Sequence, residues 1–350
     1  MARFLGRLQL ALYAICLVCL FSVLAVGAQQ AATKPTSLGG NDAPAAESAP
    51  PNAAAQTVPA AATDPRAREK DLGLLPPANP ALPSLILIGD STVRNGHGRG
   101  DQNQWGWGAP IADLFNPAKI NVVNRAIGGL SSHSYISQDH WDLALEIIKP
   151  GDFVLIQWGH NDGGINLPGT PPVPDQGLAP GATPAPPTGP PRGPNVRGSL
   201  PGIGEETYDI ADQRTGQMVT VHTYGWYLRK YIADVRAKGA TPIICSLVPR
   251  KIWVDGHIRR NTDTYRGWAM QVAEQEHVGF IDLNEIIARR YDAMGPEVVD
   301  GLFGDPHTHT DWAGAVVNAE AVVAGLRNLP GDPLAPYLSE KGGTIAPYKP

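Results

Sequence analysis

Short apolar runs bounded by turn residues alternate with stretches of helical period across most of the chain. The runs lie at 85–88, 120–123, 153–157, 242–248 and 279–283, each of strand length and without the alternation of a half-exposed strand. Runs of that kind read as strands buried on both faces. Between and after them the apolar residues recur at helical spacing over 109–115, 140–148, 223–237, 265–276, 285–293 and 311–326. Strand followed by helix, repeated five times, predicts an α/β fold with a doubly wound parallel sheet. Ligands of such sheets bind beyond the carboxyl ends of the strands, so the residues there are where chemistry is sought.

The flanks differ in composition from this core. Arg3 and Arg7 precede an apolar run at 10–26, which closes on Val26-Gly27-Ala28, the layout of a secretory signal cut after Ala28. An uncleaved anchor is the alternative, although the run is short of the roughly 20 residues that span a bilayer. Cys16 and Cys19 lie inside it behind Ile15 and Val18, not behind the small residue that lipidation requires. Only Cys245 remains after cleavage, within an apolar run, so it is expected to pack rather than react. Residues 29–81 are rich in Ala, Pro, Thr and Ser and read as a disordered linker. A second irregular stretch at 163–204 has 22 Pro or Gly among its 42 residues, too many for a regular element. Its last part, from Arg197 onward, is less repetitive and could pack. The expected organisation is a signal peptide at 1–28, the linker at 29–81, one domain at 82–330 carrying the 163–204 insertion, and a tail at 331–350.

With 28 Lys and Arg against 33 Asp and Glu, the net charge is −5. No basic surplus exists to neutralise a phosphate backbone, so nucleic acid is not an expected partner.

Four strand-end segments hold the candidate residues. The first strand ends in Gly89-Asp90-Ser91-Thr92, which places Ser91 where a nucleophile would stand, although the same residues could form a plain turn. No Gly-x-Ser-x-Gly elbow is present. The second strand leads into Gly128-Gly129-Leu130-Ser131-Ser132-His133-Ser134-Tyr135 and the third into Gly159-His160-Asn161-Asp162. The backbone N–H groups of Ser91 and a glycine, with the Asn161 amide, could converge on a developing oxyanion. Asp305-Pro306-His307-Thr308-His309-Thr310-Asp311 precedes the last helix, and a histidine there could reach a serine after the first strand.

These blocks, in this order, resemble the SGNH (GDSL-like) hydrolases, and within them the rhamnogalacturonan acetylesterase-like branch. The likeness extends over about 85–326, apart from most of the insertion. It implies a three-layer αβα sandwich around a five-stranded parallel sheet, flavodoxin-like in winding, and a serine esterase. Ser91 would attack the ester, His309 would act as base, and Ser91, Gly129 and Asn161 would form the oxyanion hole. No metal or other cofactor is implied. The family places its aspartate three residues before the histidine, but Pro306 stands there and the acid is Asp305, four before. Three arrangements are open: a one-residue bulge brings Asp305 to the imidazole, His307 is the working base, or the acid is weak or lost; the first is favoured, because a triad is defined by geometry. Asp162 is expected to fix its loop and Asp311 to cap the final helix. Trp107 and His160 are the candidate substrate-binding residues, with Trp105 and Trp158 near the same blocks.

Other readings compete. The scattered Asp, Asn and His are superficially similar to metallophosphoesterase ligands, but the Asp-x-His and Gly-Asn-His orders of that family are absent. A carbohydrate-binding relative without catalysis would tolerate the displaced aspartate, and a lipid or thioesterase would keep the mechanism with another substrate. The expectation is a secreted or periplasmic monomer that removes O-acetyl groups from an acetylated polysaccharide or oligosaccharide, foremost rhamnogalacturonan, with no membrane contact after signal cleavage. His97, Arg99, Asp101, Gln104, Arg250, Arg259 and Arg260 could meet sugar hydroxyls or uronate carboxylates, or simply be surface charge.

Overall fold

All five apolar runs pair into one parallel sheet in the computed structural model, which describes residues 65–164, 197–212 and 216–350. The strands are β1 (Ser84–Gly89), β2 (Asn121–Asn124), β3 (Phe153–Gln157), β4 (Thr207–Ala211), β5 (Met218–His222), β6 (Thr241–Cys245), β7 (Trp253–Val254), β8 (His257–Ile258) and β9 (Gly279–Ile281). The central sheet runs in the order β2-β1-β3-β6-β9, while β4-β5 and β7-β8 are separate antiparallel hairpins. The helices are α1 (Pro65–Asp71), α2 (Ser132–Ser137), α3 (His140–Ile147), α4 (Tyr224–Ala237), α5 (Tyr265–Gln275), α6 (Leu283–Met294), α7 (Pro296–Asp300), α8 (Trp312–Leu326) and α9 (Glu340–Gly343).

Successive side chains of β1 divide between two cores because a strand points them to opposite faces. Ile86 and Ile88 join Val154, Ile156 and Ile244 under α2–α5, through Tyr135, Trp141, Tyr231 and Val272. Leu85 and Leu87 join Leu155, Ile243, Cys245 and Ile281 under α6 and α8, through Ile286, Tyr291 and Val322. A strand covered on both sides has no polar face to show, which is why these runs are continuously apolar. The result is the three-layer αβα arrangement. Cys245 is fully buried, and burial raises its thiol pKa, as a packing residue requires.

The winding places β1 between β2 and β3, with Leu87 opposite Asn124 and Gly89 opposite Gln157. The loops that leave these three neighbouring strands emerge side by side at one edge. They carry Ser91, Gly129 and Asn161.

Three assignments differ from the sequence reading, and the end of the insertion packs as that reading allowed. The stretch at 109–115 forms a 3-10 helix, Pro110–Leu114, with Pro110 at its start, rather than an α-helix. The linker read to residue 81 ends earlier, since Pro65–Asp71 is helical and Leu74 joins the core. An ion pair between Glu69 and Arg125, both buried, holds α1 to the domain. Residues 331–350 also pack: Asn116 donates its N–H to Tyr337 O at 2.8 Å, and Tyr348 donates to Ala324 O at 2.9 Å. In the described end of the insertion, Ser199 and Leu200 are buried. The signal segment, the linker up to 64 and insertion residues 165–196 lie outside the described residues. Among the described residues no helix is long and apolar enough to cross a membrane.

Candidate active site

Ser91 follows β1 on a turn that the Asp90 side chain builds. Asp90 Oδ1 accepts the Thr92 N–H at 2.9 Å and the Thr92 hydroxyl at 2.7 Å, and the N–H groups of Val93 and Arg94 both donate to Asp90 O. Burial pushes the Asp90 carboxyl above its ordinary pKa, with the bonds from Thr92 opposing. The turn is braced from β3: Trp107 donates its indole N–H to Gln157 Oε1 at 2.7 Å, and Gln157 Nε2 donates to Thr92 Oγ1 at 2.6 Å. Trp107 is therefore a fully buried support beneath the turn that carries Ser91 and does not face the cleft, contrary to its expected contact with substrate. Trp158 is buried in the core as well.

The segment before α8 brings a histidine to this serine. Ser91 Oγ lies 2.8 Å from His309 Nε2, and His309 Nδ1 lies 2.5 Å from Asp305 Oδ2. The spacing of four works because the chain wraps the carboxylate. Asp305 Oδ1 accepts the N–H groups of His307 at 3.0 Å, Thr308 at 2.6 Å and His309 at 3.0 Å. Pro306 has no N–H to offer, so the turn closes on the three residues after it. Burial acts to raise the Asp305 pKa, but the His309 and Thr308 N–H groups, then the His309 imidazole, outweigh it and hold the carboxyl below its ordinary value. His307 faces Thr308 Oγ1 at 2.6 Å and does not line the cleft. Asp311 caps α8, accepting the Gly314 N–H at 2.9 Å.

Opposite the histidine, Gly129 occupies the left-handed region at φ 80°, where a side chain would be strained. Ser131 opens α2 with a capping box shared with Ser134. Asn161 donates one amide hydrogen to Leu130 O at 2.9 Å, which ties the loop after β3 to the loop after β2. Asp162 fixes the same junction. Its Oδ1 accepts the Ser132 N–H at 3.1 Å, the Ser132 hydroxyl and the Ser199 hydroxyl at 3.0 Å, and its Oδ2 accepts the Gly159 N–H at 3.0 Å. Burial pushes its pKa up to about 6, against the bonds from Ser132 and Ser199.

Ser91, Gly129, His160, Asn161 and His309 line one cleft of about 760 Å³. His160 is buried, and burial, then the charge of Arg250, drives its pKa well below the ordinary histidine value, so it is neutral at pH 7. His97, Asp101, Gln104 and Arg250 also reach this cleft, whereas Arg260 is drawn into ion pairs with Asp292 and Glu285. Arg99 borders a neighbouring hollow that Trp105 and Trp312 share. Sequence reasoning missed Arg94, Thr308, and Arg68 and Leu72 of the α1 segment, all of which line the cleft. Gln157 had a signal, being the one polar residue that closes an otherwise apolar strand. Among the described residues no cluster of three or more His, Cys, Asp or Glu could hold a metal ion.

An arrangement of hydroxyl, imidazole and carboxylate in line can make an oxygen nucleophile from a serine. Residues 87–316 match the GDSL-like lipase/acylhydrolase family. Rhamnogalacturonan acetylesterase of Emericella nidulans is 28% identical over 255 residues, 73% of this chain and 88% of that protein. The Bacillus subtilis protein named "Probable rhamnogalacturonan acetylesterase YesY" is 30% identical over 251 residues, 70% of this chain and 93% of its own length. The crystal structure of Bacillus subtilis YxiM superposes with a TM-score of 0.51 at 23% identity, covering 71% of this chain and 56% of that one, which is a likeness of fold. On these matches the chain belongs to the GDSL-like lipase/acylhydrolase (SGNH) family, in its rhamnogalacturonan acetylesterase-like branch, and is a carboxylic ester hydrolase.

Proposed function

We propose that the protein is a secreted serine esterase that removes O-acetyl groups from a plant cell-wall polysaccharide, acetylated rhamnogalacturonan before others. The observation that carries this reading is the line of hydrogen bonds from Ser91 Oγ through His309 to Asp305, at 2.8 and 2.5 Å. In it, His309 Nε2 takes the hydroxyl proton as Oγ attacks the acetyl carbonyl carbon. Asp305 holds the imidazole in the tautomer that leaves Nε2 free to accept, and stabilises the imidazolium that forms. The carbonyl oxygen becomes an oxyanion between the N–H groups of Ser91 and Gly129 and the second hydrogen of the Asn161 amide. His309 then returns the proton to the sugar oxygen as that C–O bond breaks, and water repeats the sequence on acetyl-Ser91 to release acetate.

The lining of the cleft favours a short acyl group on a polar substrate over a lipid. Leu72 and Ile127 are the only apolar side chains among the described residues that line it, and apart from Gly128 and Gly129 the other lining residues are polar or charged. A long acyl chain would need a continuous apolar channel. The names of the relatives supply the polysaccharide, and the N-terminal run at 10–26 supports secretion.

The test is acetate release from acetylated rhamnogalacturonan and acetylated xylan side by side, with Ser91→Ala as control. The expected result is release from rhamnogalacturonan in preference to xylan, abolished in the variant. Preference for xylan would move the substrate to another polysaccharide, and acetate release by Ser91→Ala would remove the nucleophile assignment. Localisation is tested separately by N-terminal sequencing of the protein recovered outside the cytoplasm, which should begin at Gln29.

A further inference from the structure

Helix α1 precedes the segment that matches the family, which begins at residue 87, yet it reaches the catalytic cleft. Its attachment is buried. Glu69 is ion-paired with Arg125, the residue that leads from β2 toward Gly129, and lies 3.5 Å from His140 Nδ1. Arg125 is held in turn by Tyr135, whose hydroxyl donates to Arg125 O at 2.9 Å. Just past the helix, Leu72 O accepts a hydrogen bond from Arg94, and the Arg94 guanidinium also donates to His97 O at 2.8 Å. Arg68, one turn before Leu72, donates to Gln138 Oε1. Thus one short segment joins the loop that carries Gly129 to the loop that follows Ser91.

The charge it joins is one-sided. Among the described residues, Arg68, Arg94 and Arg250 line the cleft against a single carboxylate, Asp101, which His97 engages at 2.9 Å. Burial, then the positive charges of Arg125 and Arg99, lowers the Arg94 pKa, as expected where cations crowd together. Guanidinium groups in a water-accessible cleft favour carboxylate-bearing ligands and hold them by charge-assisted hydrogen bonds.

We propose that α1 is a specificity element of this esterase: docked through Glu69 and Arg125, it sets Arg68 on the cleft that Arg94 and Arg250 also line, to receive the carboxylates of an acidic, uronate-containing sugar chain. The inference rests on the esterase reading above and adds to it a residue outside the family domain. Arg68 acts on binding of the polymer and takes no part in the bond changes at the ester.

The test compares the full chain with Arg68→Gln and Arg68→Lys on three substrates: acetylated rhamnogalacturonan, the same polymer with its carboxyl groups reduced, and p-nitrophenyl acetate. Arg68 is partly exposed, so both variants should fold, and thermal unfolding checks this. For Arg68→Gln, KM on the acidic polymer should rise about tenfold relative to its KM on the reduced polymer, with kcat little changed. Arg68→Lys should recover part of the loss, and added salt should raise the wild-type KM for the acidic polymer more than that of Arg68→Gln. Equal changes on acidic and reduced polymer, or none on either, would overturn the role of α1 while leaving the esterase reading intact. Wild-type cleavage of p-nitrophenyl acetate with no release from either polymer would overturn the polysaccharide substrate and the role of α1 together, and leave ester hydrolysis standing.

Discussion

The Asp305 carboxylate reaches His309 twice, through Oδ2 to the imidazole Nδ1 at 2.5 Å and through Oδ1 to the backbone N–H at 3.0 Å. The second bond fixes where the backbone of His309 lies, and the first fixes how its ring is turned. Together they bring a carboxylate four residues before the histidine onto its imidazole.

Asp305→Asn separates these two duties. The amide oxygen still accepts the three N–H groups of the loop, so the fold should persist with Tm within a few degrees of the wild type. An amide facing Nδ1 favours the wrong tautomer, and kcat should fall by about 10³ to 10⁴. Steady-state kinetics beside thermal unfolding check both halves; near-normal activity would take Asp305 out of the triad.

Asn161→Ala removes one donor from the proposed oxyanion site together with the tie to Leu130 O. The expected loss is about 10² to 10³ in kcat, with a smaller change in KM, because the interaction strengthens only as charge develops. A change in KM alone would assign Asn161 to ground-state binding.

Gln157→Leu strands the buried Trp107 indole N–H and takes away the donor that the Thr92 hydroxyl accepts, leaving that hydroxyl its bond to Asp90. Each unpaired buried polar group costs about 1 to 3 kcal/mol. Urea unfolding should show a loss in that range or above it, and kcat should drop as the turn carrying Ser91 loosens. Unchanged stability would mean that the brace is dispensable.

Asp162 sets a pH dependence of stability. Burial pushes its folded pKa up to about 6, above the unfolded value of about 3.9. Between these values the native state binds the proton more tightly, so the contribution of this group to stability rises as pH falls through 6 and levels off below 4. The effect is on the order of 3 kcal/mol at most. Denaturation midpoints of wild type and Asp162→Asn at pH 4.5 and 7.5 check it: the difference between the two proteins should depend on pH, and a constant difference would contradict the shift.

The strands were legible because burial on both faces leaves an unbroken apolar signature, as in Leu85-Ile86-Leu87-Ile88. The residues lining the cleft were legible where a strand end and a short motif coincide, as at Ser91 and Asn161. Trp107 misled because closeness in sequence to a nucleophile says nothing about which way an indole points; that is decided by its partner Gln157, 50 residues away. Helix α1 was hidden by averaging, since seven helical residues at the end of an Ala- and Pro-rich stretch do not change its overall composition. What orders them is a set of long-range partners, Glu69 with Arg125 and Arg68 with Gln138 among them, and no local pattern announces these. The β4-β5 hairpin was missed for a similar reason, as it is largely exposed and buries little beyond Ile210 and Val221.

Ser91 and His309 are 218 positions apart in the chain, at opposite ends of the sheet's sequence order. A polypeptide is made from its N-terminus, so the nucleophile turn and every strand of the sheet emerge before the imidazole does. On the proposed mechanism the Ser91 hydroxyl therefore has no base to activate it until the chain has been made past His309, so reactivity toward esters arrives with the segment that follows the sheet.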